Sequence, residues 1–554
     1  MEFGRGHEQD WPYHDSEVRT VNSYCDIVIG AGSAGCVVAT RLSEDPNRRV
    51  LLIEAGGTNR RPDVVIPAAF PNQFHTVDWD YTCESEEGLA GRGLYEPRGR
   101  MLGGCSSMNA MSYIRGNRLD YDGWVEQGAK GWSYEEVLPY FTKSEHNEEI
   151  QDAWHGTGGP LNITSIPTRD PLTDLFVQAA EAVGFARNPD FNGRTQDGIG
   201  FPQVTQRRGA RWDVATAFLR PARKRPNLTV LTGALVHRVI VKGGHAIGVE
   251  FSRRGRTQAV LAQGEIVVSA GAFGSVEILQ RSGIGPAEHL RTVGVKPIVD
   301  LPAVGRNLME HPGGCINCEL GGGAVGLFDA VGPFNTPAPR YLVEWLRHRR
   351  GKLASNAVEA LGHWSSDPSL PAPDMQIGFV PAFLWVHEAE AVKHPVPAMS
   401  AYSSYVAPRS RGSVMIRSAD PREKAAVRLN FFSEPGELDA CVRAIELTRE
   451  IFATEPIRPY RGTEIHPGAH VRSQAEIADY VRCECQHSFH PSCTVRMGRP
   501  EEAALDAQLR VYGVEGLRVA DASVFPTILR GNTNAPAIMV GERCADFMRE
   551  ANSA

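Results

Sequence analysis

Three glycines near the start of the chain have the spacing of a phosphate-binding turn. Gly30, Gly32 and Gly35 directly follow the apolar run DIVI, and a helical stretch comes after them. In such a turn the first glycine permits the tight bend, the second lets the backbone approach a pyrophosphate, and the third allows close packing of helix on strand. Free N–H groups at the helix start favour the phosphates. The spacing therefore predicts a dinucleotide site that includes Ser33 and Ala34.

A carboxylate stands at the end of the next apolar run. In RRVLLIEAGG, Glu54 lies 24 residues after Gly30 and is followed by Ala55. An acidic side chain at this place can accept hydrogen bonds from a ribose, and it favours an adenosine without a 2′-phosphate. This order of strand, turn, helix, strand and acidic residue predicts a bound dinucleotide. It does not distinguish NAD from FAD.

A second kind of element follows this strand–turn–helix–strand unit. Short β-rich runs such as PDMQIGFVPAFL and MSAYSSYVAP are separated by Pro, Gly and charged turns, which predicts an antiparallel sheet. Leu438, Cys441, Val442 and Ile445 recur at helical spacing, so we expect a helix that packs one apolar face on the core.

The composition disfavours several classes of protein. The 554 residues include 58 Lys and Arg against 65 Asp and Glu, and the net charge of −7 argues against a nucleic-acid binder. No apolar run approaches the roughly 20 residues of a membrane-spanning helix. The polar N-terminus lacks the apolar core of a secretory signal, so we expect a cytoplasmic protein. The 11 cysteines are scattered without zinc spacing, so we expect neither a disulfide scaffold nor a metal site.

Two longer motifs decide between the cofactors. GRMLGGCSSMNAMSYIRGNRLDYDGW contains Gly103, Gly104, Ser106 and Asn109, and it resembles the first signature of the glucose-methanol-choline (GMC) family of FAD-dependent oxidoreductases. GAFGSVEILQRSGIG, which begins at Gly271, resembles the second signature. The resemblance extends over essentially the whole chain after residue 22, and it is greatest to choline dehydrogenases, choline oxidases and related alcohol dehydrogenases.

The resemblance implies that FAD is the cofactor and adds residues to its site. Val236 is implied to contact the adenine through its backbone, and Asp521 and Ala522 are implied to lie by the pyrophosphate and the ribityl chain. Asn534 and Pro536 are implied to shape the turn beside the flavin.

The resemblance also implies a fold that combines α/β and α+β parts. A Rossmann-like FAD-binding domain is expected to be interwoven with an antiparallel-sheet substrate domain. We expect the FAD-binding domain to comprise residues 22–165, 201–318 and 481–554, and the substrate domain residues 166–200 and 319–480. Residues 1–21 are expected to form an N-terminal arm.

Two segments match the active-site pattern of the family. His490 in FHPSCTVRMG and Asn532 in GNTNAPAIMV lie 42 residues apart. The resemblance implies that His490 is the catalytic base and Asn532 its partner in oxidising a primary alcohol to an aldehyde. An imidazole can take the hydroxyl proton near neutral pH. The amide can bind the alkoxide oxygen without competing for that proton.

The expected substrate is a neutral primary alcohol rather than choline. The segment LMEHP ends in His311 and Pro312. In choline-oxidising relatives an acidic residue directly after this His-Pro faces the trimethylammonium group, whereas Gly313 stands at that position here. The expected electron acceptor is O₂, a quinone or an artificial acceptor. Two alternatives stay open: a choline-type dehydrogenase, and a hydroxynitrile-lyase-type carbon–carbon lyase that keeps FAD without using its redox chemistry.

FAD is predicted to be bound without a covalent link. Some family members attach the flavin to a histidine just before the first signature, and Glu96 occupies the aligned position in YEPRGRMLGG. Denaturing the protein should therefore release all of the yellow colour into the supernatant, as measured by absorbance after centrifugation. Flavin that stays with the precipitate would contradict the prediction.

Overall fold

The computed structural model describes residues 19–330, 336–384, 386–387, 390–391 and 394–553. The α-helices in these ranges are α1 Ser33–Leu42, α2 Pro62–Val65, α3 Arg118–Glu126, α4 Tyr134–Ser144, α5 Pro171–Ala182, α6 Arg220–Ala222, α7 Gly271–Arg281, α8 Ala287–Thr292, α9 Pro339–His348, α10 Glu437–Ala453, α11 Gln474–Glu484 and α12 Asn534–Ser553. None of the described helices is both long and apolar enough to cross a membrane.

The strands, in chain order, are β1 Arg19–Tyr24, β2 Asp26–Ile29, β3 Val50–Ile53, β4 Tyr81–Thr82, β5 Tyr95–Glu96, β6 Glu145–Asn147, β7 Leu161–Ile163, β8 Gly198–Gly200, β9 Gln206–Arg207, β10 Ala210–Arg211, β11 Leu228–Leu231, β12 Ala234–Lys242, β13 His245–Arg253, β14 Arg256–Ala262, β15 Ile266–Val268, β16 Ile284–Gly285, β17 Val299–Asp300, β18 Arg306–Leu308, β19 Pro312–Leu320, β20 Ala360–Trp364, β21 Met375–Val380, β22 Val386–His387, β23 Glu390–Ala391, β24 Ala398–Tyr405, β25 Gly412–Met415, β26 Ala426–Arg428, β27 Arg461–His466, β28 Gln486–His487 and β29 Leu517–Val519. Of the expected N-terminal arm, residues 1–18 lie outside the described residues, and residues 19–21 belong to β1.

A parallel sheet carries the glycine turn. Its strand order is β11-β3-β2-β15-β29. β2, β3, β15 and β29 are buried along their whole length, which explains why their sequences are nearly continuous apolar runs. Because β2 comes from the start of the chain and β29 from its end, both ends of the chain build this sheet.

A second, mostly antiparallel sheet has the order β27-β19-β24-β21-β20-β8, with β28 also paired to β19. Helices α5, α10 and α11 pack on it through a shared apolar cluster that includes Cys441, Val442 and Ile445 of α10. The predicted antiparallel sheet and amphipathic helix are therefore both present.

The position of β19 bears on the domain boundaries. All of β19, from Pro312, pairs within the antiparallel sheet, whereas the expected boundary placed residues up to 318 in the FAD-binding domain. We propose that the second part of that domain ends before Pro312. The membership of β8 in the antiparallel sheet supports the proposal that residues 166–200 belong to the substrate domain.

Candidate active site

A cavity of about 450 Å³ is lined by residues of both sheets. It brings together most of the residues that the sequence singled out. The predicted residues on its surface are Gly30, Gly32, Ser33, Ala34, Glu54, Ala55, Gly104, Asn109, Val236, Gly271, His490, Asp521, Ala522, Asn532 and Asn534.

Four predicted cofactor residues do not line the cavity: Gly35, Gly103, Ser106 and Pro536. Gly35 instead packs on the turn behind it, since a Cβ at this position would lie 1.9 Å from the Gly30 carbonyl oxygen. The Ser106 hydroxyl donates to the Gly103 carbonyl at 2.7 Å. These residues lie behind the residues that line the cavity.

The glycine turn is built for close backbone approach. Gly30 has a φ of +95°, and a Cβ there would lie 2.4 Å from the Ser269 carbonyl oxygen. Helix α1 begins after Gly32 without a side-chain cap and without an acidic residue in its first turn. Because the first N–H groups of a helix need acceptors, this uncapped helix start on the cavity wall suits a pyrophosphate.

Two buried carboxylates face other parts of the cavity. Glu54 accepts the N–H groups of Ala31 at 2.9 Å and Gly56 at 2.7 Å, and burial raises its pKa. Asp521 accepts the Ser275 hydroxyl at 2.6 Å and the Gly271 N–H at 2.9 Å. These hydrogen bonds fix the orientation of each carboxylate.

The two predicted catalytic residues lie together on the cavity wall. Asn532 Nδ2 is 3.1 Å from His490 Nε2, and His490 is only 8% exposed. Burial lowers the pKa of His490 well below 6.5, and His311 and Arg98 act in the same direction. The imidazole is therefore neutral near pH 7.

A third side chain, His311, completes the arrangement. Its Nδ1 lies 3.1 Å from His490 Nδ1, and burial lowers the pKa of His311 to about 3. The Asn532 amide nitrogen can only donate to Nε2 of His490, so the ring proton of His490 lies on Nδ1 and is donated to His311. His311 then carries its own proton on Nε2, and the Leu529 backbone lies near the ring.

A buried charged cluster lies behind this pair. Glu96 contacts Arg98 Nη2 at 2.8 Å and His487 Nε2 at 3.0 Å. Burial opposes ionisation of Glu96, but His487 and Arg98 lower its pKa overall. Burial, reinforced by the charge of Glu96, raises the pKa of the neighbouring Glu310 to about 8. The cluster therefore holds one carboxylate ionised and one protonated at neutral pH.

Sequence reasoning missed His311 and Arg98 as members of the site. Both stand beside motifs that the sequence marked, His311 in LMEHP and Arg98 in YEPRGR. The signal for His311 is its position in LMEHP, directly before Pro312 and the glycine pair Gly313–Gly314. Arg98 gave no comparable signal, because its contact with the Phe489 carbonyl at 3.0 Å joins segments almost 400 residues apart.

Comparison with known proteins identifies the fold. Two models described as GMC oxidoreductase match residues 24–313 and 408–541. The chain belongs to the GMC oxidoreductase family. The expected family and fold are thereby confirmed, and the protein is an FAD-dependent oxidoreductase. The uncapped start of α1, the close-packed glycine turn and the fixed carboxylates fit the phosphates and hydroxyl groups of that cofactor.

Relatives agree over nearly the whole chain. It is 40% identical over 527 residues to an oxygen-dependent choline dehydrogenase of Sinorhizobium fredii, covering 94% of this chain and 95% of the relative. The protein of the same name from Brucella anthropi is 40% identical over 530 residues, with the same coverage.

Solved structures extend the comparison. The crystal structure of a pyridoxine 4-oxidase from Mesorbium loti is similar with a TM-score of 0.86 and 31% identity, covering 96% of this chain and all of the other. A formate oxidase of Aspergillus oryzae has a TM-score of 0.89 and 26% identity, covering 97% of this chain and all of the other.

The raised pKa of Glu310 predicts a pH-dependent stability. Folded Glu310 keeps its proton up to pH about 8, whereas the unfolded carboxyl loses it near 4.5. The stability contributed by the protonated form is therefore complete below pH 4.5 and is lost as pH rises toward 8. Between pH 5 and 8, the free energy of unfolding of Glu310→Gln should rise relative to wild type by about 2 kcal/mol or more.

Chemical denaturation of the holoenzyme at fixed FAD concentration measures this difference. Glu288→Gln, which removes an exposed carboxylate on α8, is the matched control and should follow the wild-type curve. Parallel curves for wild type and Glu310→Gln across this pH range would contradict the assignment.

Proposed function

We propose that this enzyme oxidises a primary alcohol to an aldehyde. The neutral His490–Asn532 pair on the wall of the FAD cavity carries the proposal, because it offers one proton acceptor and one neutral donor side by side. FAD, when bound, supplies the acceptor for the hydride that leaves the carbinol carbon. The names of a relative, a choline dehydrogenase, and of a structural neighbour, a pyridoxine 4-oxidase, support this reaction type.

The cofactor-binding roles follow from the cavity wall. The turn from Gly30 to Ala34 and the start of α1 would hold the pyrophosphate, and Glu54 would bind the adenosine ribose. Val236 would contact the adenine. Asp521 and Asn534 would hold the flavin half of the molecule.

The proton is transferred at His490 Nε2. A hydroxyl that enters beside both side chains and replaces the direct contact between them can donate to Nε2 while its oxygen accepts from Asn532 Nδ2. As the carbonyl forms, the hydroxyl proton moves to Nε2 and the hydride leaves the carbon, so charge and electrons balance. The donor of Asn532 lies where negative charge develops on oxygen, and such a donor is most effective away from water.

His311 is a positioning residue in this scheme. By accepting the Nδ1–H of His490, it keeps the Nε2 lone pair directed at Asn532 and at the substrate. The resulting imidazolium can also share its Nδ1 proton with His311.

Choline is the second candidate substrate, because relatives with 40% identity are named choline dehydrogenases. The cavity argues for a neutral alcohol instead. Among the described residues of the antiparallel sheet that line it, none carries a carboxylate, whereas the cationic Arg98 does line it. The relatives' names support O₂ as acceptor, a quinone being the alternative. A cytoplasmic location stays a prediction.

Replacement of His490 tests the reaction. His490→Ala should keep FAD and slow anaerobic bleaching of the flavin by an alcohol by about 10²- to 10⁴-fold, because the group that takes the hydroxyl proton is removed. Stopped-flow absorbance measures the rate. His245→Ala, an exposed histidine, is the control. A rate close to that of the wild-type enzyme would reject the role of His490. If no tested alcohol reduces the flavin of the wild-type enzyme, the lyase alternative is favoured.

A pair of isosteric alcohols tests whether the enzyme prefers a neutral or a cationic substrate. Choline and 3,3-dimethylbutan-1-ol have the same shape, but only choline is a cation. We expect kcat/KM for choline to be at least about tenfold lower, since its trimethylammonium group would lose water without gaining a carboxylate partner. Steady-state assays at fixed O₂ and ionic strength decide this. Equal or higher efficiency with choline would establish the choline-type activity.

A further inference from the structure

Three residues on neighbouring strands, Gly313, Tyr402 and Gln486, share one face of the antiparallel sheet. In β19, Gly313 pairs with Gln486 of β28 on one side and with Ser404 of β24 on the other. Residues directly opposite one another in a sheet present the same face, as do residues two apart on one strand. Tyr402 therefore shares the face of Gly313 and Gln486. Ser488 lies just beyond the end of β28 and lines the same cavity as Tyr402 and Gln486.

Gly313 leaves a gap that the Tyr402 ring fills. A Cβ at position 313 would lie 2.7 Å from Tyr402 Oη and 2.3 Å from the Ser403 carbonyl oxygen. The second distance involves backbone, so this strand arrangement admits only glycine. The phenol of Tyr402 thus occupies the space that a side chain at this position would need.

One polar atom beside this gap has no hydrogen-bond partner within the described protein. Gln486 Nε2 is buried and unpaired, and Gln486 is only 8% exposed. The hydroxyl groups of Tyr402 and Ser488 lie near each other, and all three residues line the cavity. Buried polar atoms are normally paired, so an unpaired amide donor beside two hydroxyl groups on one cavity wall indicates a ligand group that pairs with it.

We propose that Tyr402, Gln486 and Ser488 form a subsite for an uncharged oxygen atom of the substrate, an ether, a carbonyl or a second hydroxyl. The proposal rests on the proposed alcohol oxidation, since Ser488 is two residues from His490 and the same molecule reaches both. Gln486 Nε2 can only donate, so its partner must have a lone pair. A trimethylammonium group has none. Burial also raises the pKa of Tyr402, so the phenol stays neutral and is available as a donor.

Isosteric alcohols that differ by one oxygen test the subsite. The pairs are 4-methoxybenzyl alcohol with 4-ethylbenzyl alcohol, and 2-phenoxyethanol with 3-phenylpropan-1-ol. In each pair an ether oxygen replaces a methylene group, at a different distance from the hydroxyl. Anaerobic stopped-flow saturation gives Kd for each alcohol. The ether member of at least one pair should bind about tenfold more tightly to the wild-type enzyme.

Three variants connect that preference to the subsite. Tyr402→Phe and Gln486→Met each remove the polar atoms with little change of shape, and Ser488→Ala removes the hydroxyl. Each should reduce the preference for the ether, measured as the ratio of the two Kd values within a pair, several-fold. Tyr405→Phe is the matched control, because Tyr405 lies three residues along β24, on the opposite face, and should keep the preference. FAD content and the visible spectrum confirm that each variant is folded.

Binding without turnover separates the two proposals. Titration of the flavin spectrum with 4-methoxybenzamide and 4-ethylbenzamide measures affinity for molecules that the enzyme cannot oxidise as alcohols. If no alcohol bleaches the flavin but the methoxy compound binds more tightly and loses this advantage in Tyr402→Phe, the subsite stands and alcohol oxidation falls. Equal affinity within all three pairs, or a preference that all three variants retain, would overturn the subsite.

Discussion

The ion pair between Arg41 and Glu542 joins the two ends of the chain, and the site depends on that junction. Arg41 Nε and Nη2 donate to the two carboxylate oxygens at 2.8 and 2.7 Å, and Glu542 is fully buried. Loss of Arg41 would leave a buried charge with weaker compensation, so the pair strongly couples α1 to α12. At the N-terminal end of α12, Asn534 Oδ1 accepts the Ser33 hydroxyl at 2.8 Å. The glycine turn and the segment that carries Asn532 are thereby held together.

Local sequence was informative where the chemistry depends on backbone. Gly30 and Glu54 lie where their motif predicts, because a tight turn and an acid at a strand end are local properties. The partnership of His490 with Asn532 came from a resemblance, since neither residue alone specifies the other. His311 and Tyr402 escaped prediction for a physical reason: their positions depend on how β19 pairs with β24 and β28, and the sequence carries only a weak signal for the register of strands distant along the chain.

Burial is the main cause of the lowered pKa of His490, and the charged cluster adds to it. Arg98 helps to lower this pKa, and Glu96 holds Arg98 in place. The carboxylate at position 96 therefore acts on the proposed base through one intervening side chain. Protonation of Glu310 prevents a second negative charge from cancelling the effect of Arg98. The acid that stands where some relatives carry a flavin-linked histidine thus has an electrostatic role of its own.

Strand β19 and the residue just before it connect the proposed catalytic pair with the proposed subsite. His311, just before β19, faces His490, and Gly313 two residues later faces the subsite formed by Tyr402, Gln486 and Ser488. Since the Ser403 carbonyl leaves no room for a Cβ at position 313, a carboxylate could enter here only if β19 and β24 moved apart. β28 pairs with β19 on its other side, and the Ser488 N–H donates to the His311 carbonyl at 3.1 Å, so that movement would carry His311 and the segment of His490 together. A change of substrate from a neutral to a cationic alcohol would therefore be coupled, through the strand, to the position of the proposed base relative to the rest of the cavity.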